Sequence, residues 1–504
     1  MSSLLIALFS YPAAGGQGGA GVAWLWTLLC TAGAGIFLAA DWITFLLAWE
    51  TAAWTSAALA MRSRERSPAR EKAHFALSLT ASCLIMAAIF LLADSSDSLA
   101  MAESVALLAG QWAAQPGLTG VILLLFSLGF LLQAALGALP AAERDTDSSA
   151  LLRTVPVACG VYGLAVTLIP AFSGPGAPSF YGDGLGWLGA LAALCASVLA
   201  LFQADIRRVL ALNTVQTLGI ILLGLSSRSA AGAAGALFQA LNHTLFKTDL
   251  SLSLAAFASS GGEGRAPSAG GRPCFSPAAV ALLAGGAAAA ALPPSGAFVS
   301  MLLILSSLAF KGSWVLAAAV LISWALNLLS LVLTLPLPLP LGPLCWGGGK
   351  GYAAASWRKT ALILLAVSIA AAGIFPQLAL VPLQAALGAL GGKDPGSLQS
   401  GVFWWVGGAF LSYGALGLAL LLGRRRRAGA EEGVAGGAAF LLEVKRAAAL
   451  VLEKVSLRRW SQPLARSLAS RYARGKRLLA RPPWGRLALA AFLVLILWLG
   501  LMRW

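Results

Sequence analysis

Apolar runs close to the length that crosses a bilayer as a helix, about 20 residues, recur from one end of this chain to the other. They fall near 21–39, 42–61, 74–93, 117–139, 149–170, 184–203, 210–226 and 232–258. Further runs fall near 277–310, with an interruption, and near 314–335, 360–390, 402–423 and 485–502. The pattern predicts an all-α polytopic membrane protein with about 13 transmembrane helices. It divides the chain into a short N-terminal segment (1–20), a transmembrane bundle (21–423), a basic amphipathic segment (424–483) and a C-terminal anchor (484–504). The opening residues mimic a short signal peptide but lack its positive n-region, so they read as a short remnant or a fraying entrance to the bundle.

The polar loops test that segmentation. With the loop carrying Arg62, Arg64, Arg66, Arg70 and Lys72 on the cytoplasmic side, alternate loops inherit Arg207 and Arg208, Arg265 and Arg272, then Lys350, Arg358 and Lys359, then Arg424 to Arg427. The other side receives Asp94, Asp97, Glu103 and Asp183, with Arg228, Lys311 and Lys393 as exceptions. A miscounted helix would scramble this positive-inside alternation. Composition agrees: 59% of residues are hydrophobic and 11% charged, and the net charge of +16 sits in loops and one C-terminal segment, which argues for membrane orientation and against nucleic acid. Cys30, Cys83, Cys159, Cys195, Cys274 and Cys345 form no C-x-x-C pair, so neither a zinc site nor an iron–sulfur cluster is indicated and no cofactor is expected on this chain.

Three features inside the apolar runs carry chemistry. His243 and Lys247, in L-F-Q-A-L-N-H-T-L-F-K-T-D-L, are four residues apart and so share one helix face. An ionisable group in hydrocarbon usually faces a bundle interior, a partner or a water-filled path; the alternative is a snorkelling lysine beside a packed histidine. Glu50, in D-W-I-T-F-L-L-A-W-E, falls about halfway along its span, where a carboxyl group is paired, hydrated or protonated. It either loads and releases a proton or serves as a protonated interhelical hydrogen-bond donor. The stretch A-L-P-P-S-G-A-F-V-S, residues 291 to 300, breaks its helix: Pro293 and Pro294 remove two backbone donors and Gly296 permits an unwound turn. Such a break survives in a membrane where protein or water satisfies the freed groups, as at transporter sites, or it is a plain kink.

With these residues in view, the chain resembles the antiporter-like membrane subunits shared by respiratory complex I, Mrp-type cation/proton antiporters and group 4 membrane-bound hydrogenases such as formate hydrogenlyase. The resemblance rests on A-W-E at 48–50, Q-A-D-I-R-R-V-L-A-L-N-T at 203–214, L-G-I-I-L-L-G-L at 218–225, N-H-T-L-F-K at 242–247 and L-P-P-S-G-A-F-V-S at 292–300, over roughly residues 20 to 335. It implies two inverted five-helix repeats with broken helices, each supplying half of a proton channel, and a proton relay through Glu50, His243 and Lys247. It also exposes departures. Gln133 stands where the family has the lysine that pairs with the glutamate, Ala158 at a second lysine position, Met301 at the charged position after the broken helix, and Gln239 for an earlier histidine. Arg153 and Asp249 are auxiliary candidates, the first to reach toward Glu50 and the second to offset Lys247 across a neighbouring helix. The channel that results is partly degenerate, either conducting weakly or serving mainly as structure.

Beyond Arg427, residues 437–481 interleave Phe440, Leu441, Val444, Val451, Leu452 and Val455 with lysines and arginines at helical spacing. This predicts a basic amphipathic helix on the cytoplasmic interface, about 65 Å long at the usual rise per residue and subject to a kink at Pro463. The layout resembles the distal subunit of complex I and the large membrane subunit of group 4 hydrogenases; a helix that only binds anionic lipid is the alternative. Three functions follow from the resemblance. The first is a non-catalytic, proton- or sodium-translocating subunit of an NADH:quinone oxidoreductase or hydrogenase complex in a bacterial or archaeal cytoplasmic membrane. Its partners would be other membrane and peripheral subunits, and those would hold any iron–sulfur clusters, flavin or NiFe centre. The second is an Mrp-type antiporter subunit, and the third a scaffold or bicarbonate-uptake subunit.

Overall fold

The computed structural model describes residues 19–61, 68–112, 114–138, 146–173, 179–203, 205–259, 268–269, 272–273, 277–334 and 356–389. All belong to the first of two units into which the chain divides, Met1–Gly423; the second, Arg424–Trp504, lies outside them. The expected spans at 402–423 and 485–502 and the basic segment 424–483 therefore lie outside the described residues, as do the first 18 residues and the side chain of Arg153.

The described part is helical: α1 (Gly19–Leu38), α2 (Trp42–Met61), α3 (Pro68–Ser96), α4 (Met101–Gln111), α5 (Pro116–Ala135), α6 (Thr146–Ser173), α7 (Ser179–Leu201), α8 (Ile206–Ser226), α9 (Ala230–Ser259), α10 (Pro277–Ala289), α11 (Gly296–Phe310), α12 (Trp314–Thr334), α13 (Ser356–Ile374) and α14 (Gln377–Ala389). Among the described residues, β pairing is limited to Ser268–Ala269 against Arg272–Pro273 and an isolated antiparallel bridge between Asp41 and Ala100. Six helices are long and apolar enough to cross a membrane, or seven if α13 and α14 count as one span bent by 66°. That bend corrects the single run expected at 360–390, and α4 is a short helix with no counterpart among the expected spans.

Local chemistry sets the helix ends. Pro116 opens α5, where its missing N–H costs nothing. The Asp41 carboxylate precedes α2, accepting from Thr44 N at 2.8 Å and Thr44 Oγ1 at 2.7 Å, and these bonds hold its pKa below the ordinary carboxylate value. Asp205 starts α8, its side chain accepting from Arg207 N at 3.0 Å.

Two helices are central. α6 packs against α1, α2, α4, α5, α8 and α9, while α9 packs against α6, α8, α10, α11, α13 and α14. Close approach uses small residues, as is usual where lipid offers no hydrophobic drive to association: Gly189 of α7 and Gly219 of α8 lie against each other's carbonyl oxygens. Large apolar side chains such as Leu38, Leu47, Phe90, Phe180 and Leu378 point outward, the inverse of a soluble bundle and suited to acyl chains.

The break between α10 and α11 is built as a helix end. Leu292 N–H donates to Ala287 O at 2.8 Å and Ala291 N–H to Ala288 O at 2.9 Å, the paired bonds of a Schellman motif. The end of α11 repeats this, with Ser313 N–H to Leu308 O and Gly312 N–H to Ala309 O, both at 2.9 Å. There the left-handed position is Gly312 at φ +74°; at the end of α10 it is Ala291 at φ +48°. A non-glycine residue pays about 1–2 kcal/mol in that region, and glycine returns about 0.5–1 kcal/mol through unfolded-chain entropy. Ala291→Gly is therefore expected to leave stability unchanged or raise it by up to about 1 kcal/mol. Thermal unfolding in detergent checks this; a clearly lowered midpoint would contradict it.

Candidate functional site

The break sits beside α9, and residues of the separate sequence motifs meet around that helix. Lys247 is 1% exposed, and its Nζ donates to the carbonyl of Leu210 on α8. The same carbonyl accepts from Thr214 Oγ1 at 3.2 Å. The 203–214 motif thus supplies the acceptor that holds the lysine of the 242–247 motif. Five residues earlier, on another side of α9, Asn242 donates to Phe238 O at 2.7 Å, and its amide lies where a Cβ on Gly296 would fall. Gln239 accepts from Ser300 Oγ of α11. Gly296 is therefore required by the close passage of α11 over Asn242, beyond any freedom it lends the turn.

His243 is fully buried and meets the Phe246 ring edge-on at 5.3 Å between centroids. Asp249 is also fully buried, and its carboxylate packs against Gly285 of α10. Two residues of helix turn about 200°, so Lys247 faces α8 while Asp249 faces α10, as their spacing implies.

The broken helix leaves the carbonyls of Ala289 and Ala290 without helical donors, and side chains supply them. Asn327 Nδ2 donates to Ala289 O at 2.9 Å, Asn213 Nδ2 to the same oxygen at 3.4 Å, and Trp324 Nε1 to Ala290 O at 2.7 Å. Asn213 Nδ2 also reaches Asn327 Oδ1 at 3.2 Å, and Gln216 Nε2 donates to Ser323 O at 3.0 Å. All four side chains are at most 7% exposed. This amide network spanning α8, α12 and the break was not evident from sequence, although Asn213 belongs to a quoted motif. The available signal was a pair of amides three apart, Asn213 and Gln216, in an apolar run, with Asn327 in another. Asn327→Leu removes both the Ala289 donor and the Asn213 acceptor in a buried setting. It is expected to cost about 1–3 kcal/mol, read as a lowered unfolding midpoint; an unchanged midpoint would show that the network carries no stability.

Glu50 lies elsewhere. Trp49 turns into an aromatic core with Phe45 (5.6 Å) and Phe130 (5.4 Å), and Phe130 stacks on Phe126 (5.6 Å). One residue on, about 100° around the helix, Glu50 is half-buried and lines a groove between α2 and α3 with Ser78 and Ser82. Gln133 is buried on α5, one turn beyond Phe130, and is not among the residues lining that groove. The structure places Lys247 against Leu210 of α8, His243 against Phe246, and Asn242 against Gly296 at the break, while Asp249 faces Gly285 of α10. Glu50 stands apart, separated from α9 by α6, which packs against both α2 and α9. Among the described residues no group of three or more His, Cys, Asp or Glu side chains could hold a metal ion.

The family described as NADH:quinone oxidoreductase/Mrp antiporter, TM, matches residues 39–327. Hydrogenase-4 component B of Escherichia coli is 35% identical over 191 residues, which is 34% of this chain and 28% of that protein. The matched stretch thus covers less than a third of that relative. In fold, the chain is similar to a subunit of the membrane-bound sulfane sulfur reductase, an archaeal respiratory membrane complex, with a TM-score of 0.70 at 21% identity, covering 98% of this chain and 86% of that one. It is also similar to a chain of the Mrp complex from a Dietzia species, with a TM-score of 0.60 at 20% identity, covering 78% and 82%.

Proposed function

We propose a function on one premise: this chain belongs to the NADH:quinone oxidoreductase/Mrp antiporter membrane family, whose match covers residues 39–327. It is the ion-translocating membrane subunit of a multisubunit redox complex of the complex I or group 4 hydrogenase type. The observation that carries this reading is the burial of Lys247 and His243 on α9, with Lys247 held by Leu210 of α8, the helix whose Asn213 reaches the open Ala289 carbonyl of the break. Burying an ammonium group costs several kcal/mol unless it is compensated, and here Lys247 is 1% exposed and donates to the Leu210 carbonyl of α8 rather than reaching a lipid-facing end.

In this reading Lys247 is the central proton carrier and His243 its neighbour one turn away, while Leu210 O and the Asn213–Asn327 pair form the polar surroundings through which a proton reaches or leaves it. Glu50 is an outer carboxyl group, with Arg153 as its auxiliary cation. Cofactors reside on partner subunits. The full chain has about 13 crossings in inverted five-helix repeats, a basic lateral helix over 424–483 on the cytoplasmic side and an anchor over 484–504, in a bacterial or archaeal cytoplasmic membrane.

Purification in mild detergent tests the assignment. The expected result is a multisubunit complex containing iron whose redox turnover drives proton uptake into vesicles. A complex without iron that exchanges protons only against an imposed cation gradient would instead identify an antiporter.

A further inference from the structure

Beside the groove that holds Glu50, α2 and α3 bring a further pair of polar side chains together. His74, one of two histidines in the chain, lies two residues beyond Lys72 on α3 and is 5% exposed. Its Nε2 is 3.2 Å from Ser56 Oγ of α2, which is 1% exposed and also 2.9 Å from Ala53 O. A hydroxyl has one proton. Pointed at Ala53 O, it leaves Ser56 Oγ to accept from Nε2–H; turned toward the ring, it donates to Nε2. Both arrangements are within reach, as a proton-passing contact requires.

Ser78 and Ser82 follow His74 at one-turn intervals on the same face of α3. Each is 4% exposed, each lines the Glu50 groove, and neither hydroxyl has a hydrogen-bond partner in the structure. Intramembrane hydroxyls ordinarily bond back to the carbonyl one turn earlier, as Thr80 of the same helix does with Ala76 O at 2.7 Å. A buried hydroxyl left unbonded costs about 1–3 kcal/mol, and two on successive turns facing one carboxyl group mark a polar seam. α2 and α3 run antiparallel, so Ser56 lies level with His74 and Glu50 level with Ser82. On the outer side Trp54 and Phe75 meet edge to face at 5.6 Å and line the mouth with apolar surface.

We propose that the α2–α3 seam is a proton feed to Glu50, running from His74 and Ser56 at the end next to the basic 62–67 loop, through Ser78 and Ser82. The proposal rests on the translocation reading above. A proton taken up by the imidazole is passed along the hydroxyls. Each hydroxyl accepts one proton and releases its own, with a water bridging the gap of about 6 Å between successive turns. The Glu50 carboxylate ends as the acid, and no other group changes its charge.

Two double variants separate chemistry from packing, because threonine and valine share one shape and differ by the hydroxyl. In the reconstituted complex, S78T/S82T is expected to keep wild-type proton flux, while S78V/S82V lowers it about tenfold with assembly intact. Equal flux in the two pairs, whether high or low, overturns the feed. Lys247→Met, run beside them, reports on the central reading alone: its flux can be lost while the two pairs stay equal, which sinks only the feed, or kept while they differ, which sinks only the central role. A wild-type complex that moves no protons overturns both.

Discussion

Gly373→Ala is expected to prevent stable folding of the bundle. Gly373 is buried in the last turn of α13, where this helix meets the α10–α11 break, and a Cβ there would fall onto the carbonyl of Pro294 and against the backbone of Ser295. The obstacle is backbone, already fixed by the Schellman bonds of Ala291 and Leu292 and by Ser295 N–H donating to Leu292 O at 2.9 Å. No side-chain rotation can relieve the clash. Ordinary overpacking costs about 1–3 kcal/mol; with backbone on one side and α9 packed behind, Gly373→Ala is expected to exceed that range and to abolish assembly. Gly388→Ala on α14 is the control, since nothing lies within 4 Å of its Cβ. It is expected to behave as wild type. Size-exclusion profiles of the two variants after detergent extraction check the contrast, and equal yields of monodisperse complex would show that the two bends do not bear on each other.

The contact at Gly373 also shows how far the sequence could be read. The proline break at 291–300 and the His243/Lys247 face were legible because each is a local anomaly in an apolar run. Pro293 and Pro294 cannot continue a helix, and two ionisable groups four apart must share a side. The second bend, at Ile374 to Gln377, carried a comparable signal in Gly373 and Pro376, yet the run 360–390 reads as continuous because its apolar character never drops. Glu50 was legible as an intramembrane carboxyl group but its direction was not. Besides that residue α2 carries Thr44, Thr51, Thr55 and Ser56, too weakly polar a set to fix its rotation, and packing turns Trp49 toward Phe130 and Glu50 toward Ser78 and Ser82. The amide network around Ala289 was invisible for a different reason: Asn213 and Asn327 are 114 residues apart and meet only when α8 and α12 pack. The resemblance supplied the order of the motifs, and the structure supplies a physical reason, since Lys247 touches Leu210 and Asn242 touches Gly296.

Lys247→Met is the second large effect. Methionine matches the stem of lysine and is accommodated in irregular gaps, so the substitution removes the titrating nitrogen while leaving the volume filled. An alanine would open a cavity beside Leu210 and confuse packing with chemistry. The fold is expected to survive, because taking an ammonium group out of an apolar interior relieves desolvation even as the Leu210 carbonyl loses a donor. Proton transfer has no such substitute. Thioether sulfur is a weak acceptor that carries no proton at ordinary pH, and general acid–base groups typically contribute about 100-fold or more to a proton-transfer step.

The decisive measurement is redox-driven proton uptake into vesicles containing the complex with Lys247→Met, with subunit composition checked beside the wild type. Flux lowered about 100-fold, to the level of protein-free vesicles, is the predicted result. Wild-type flux from a fully assembled variant would contradict it and leave the buried face of α9 a structural feature alone.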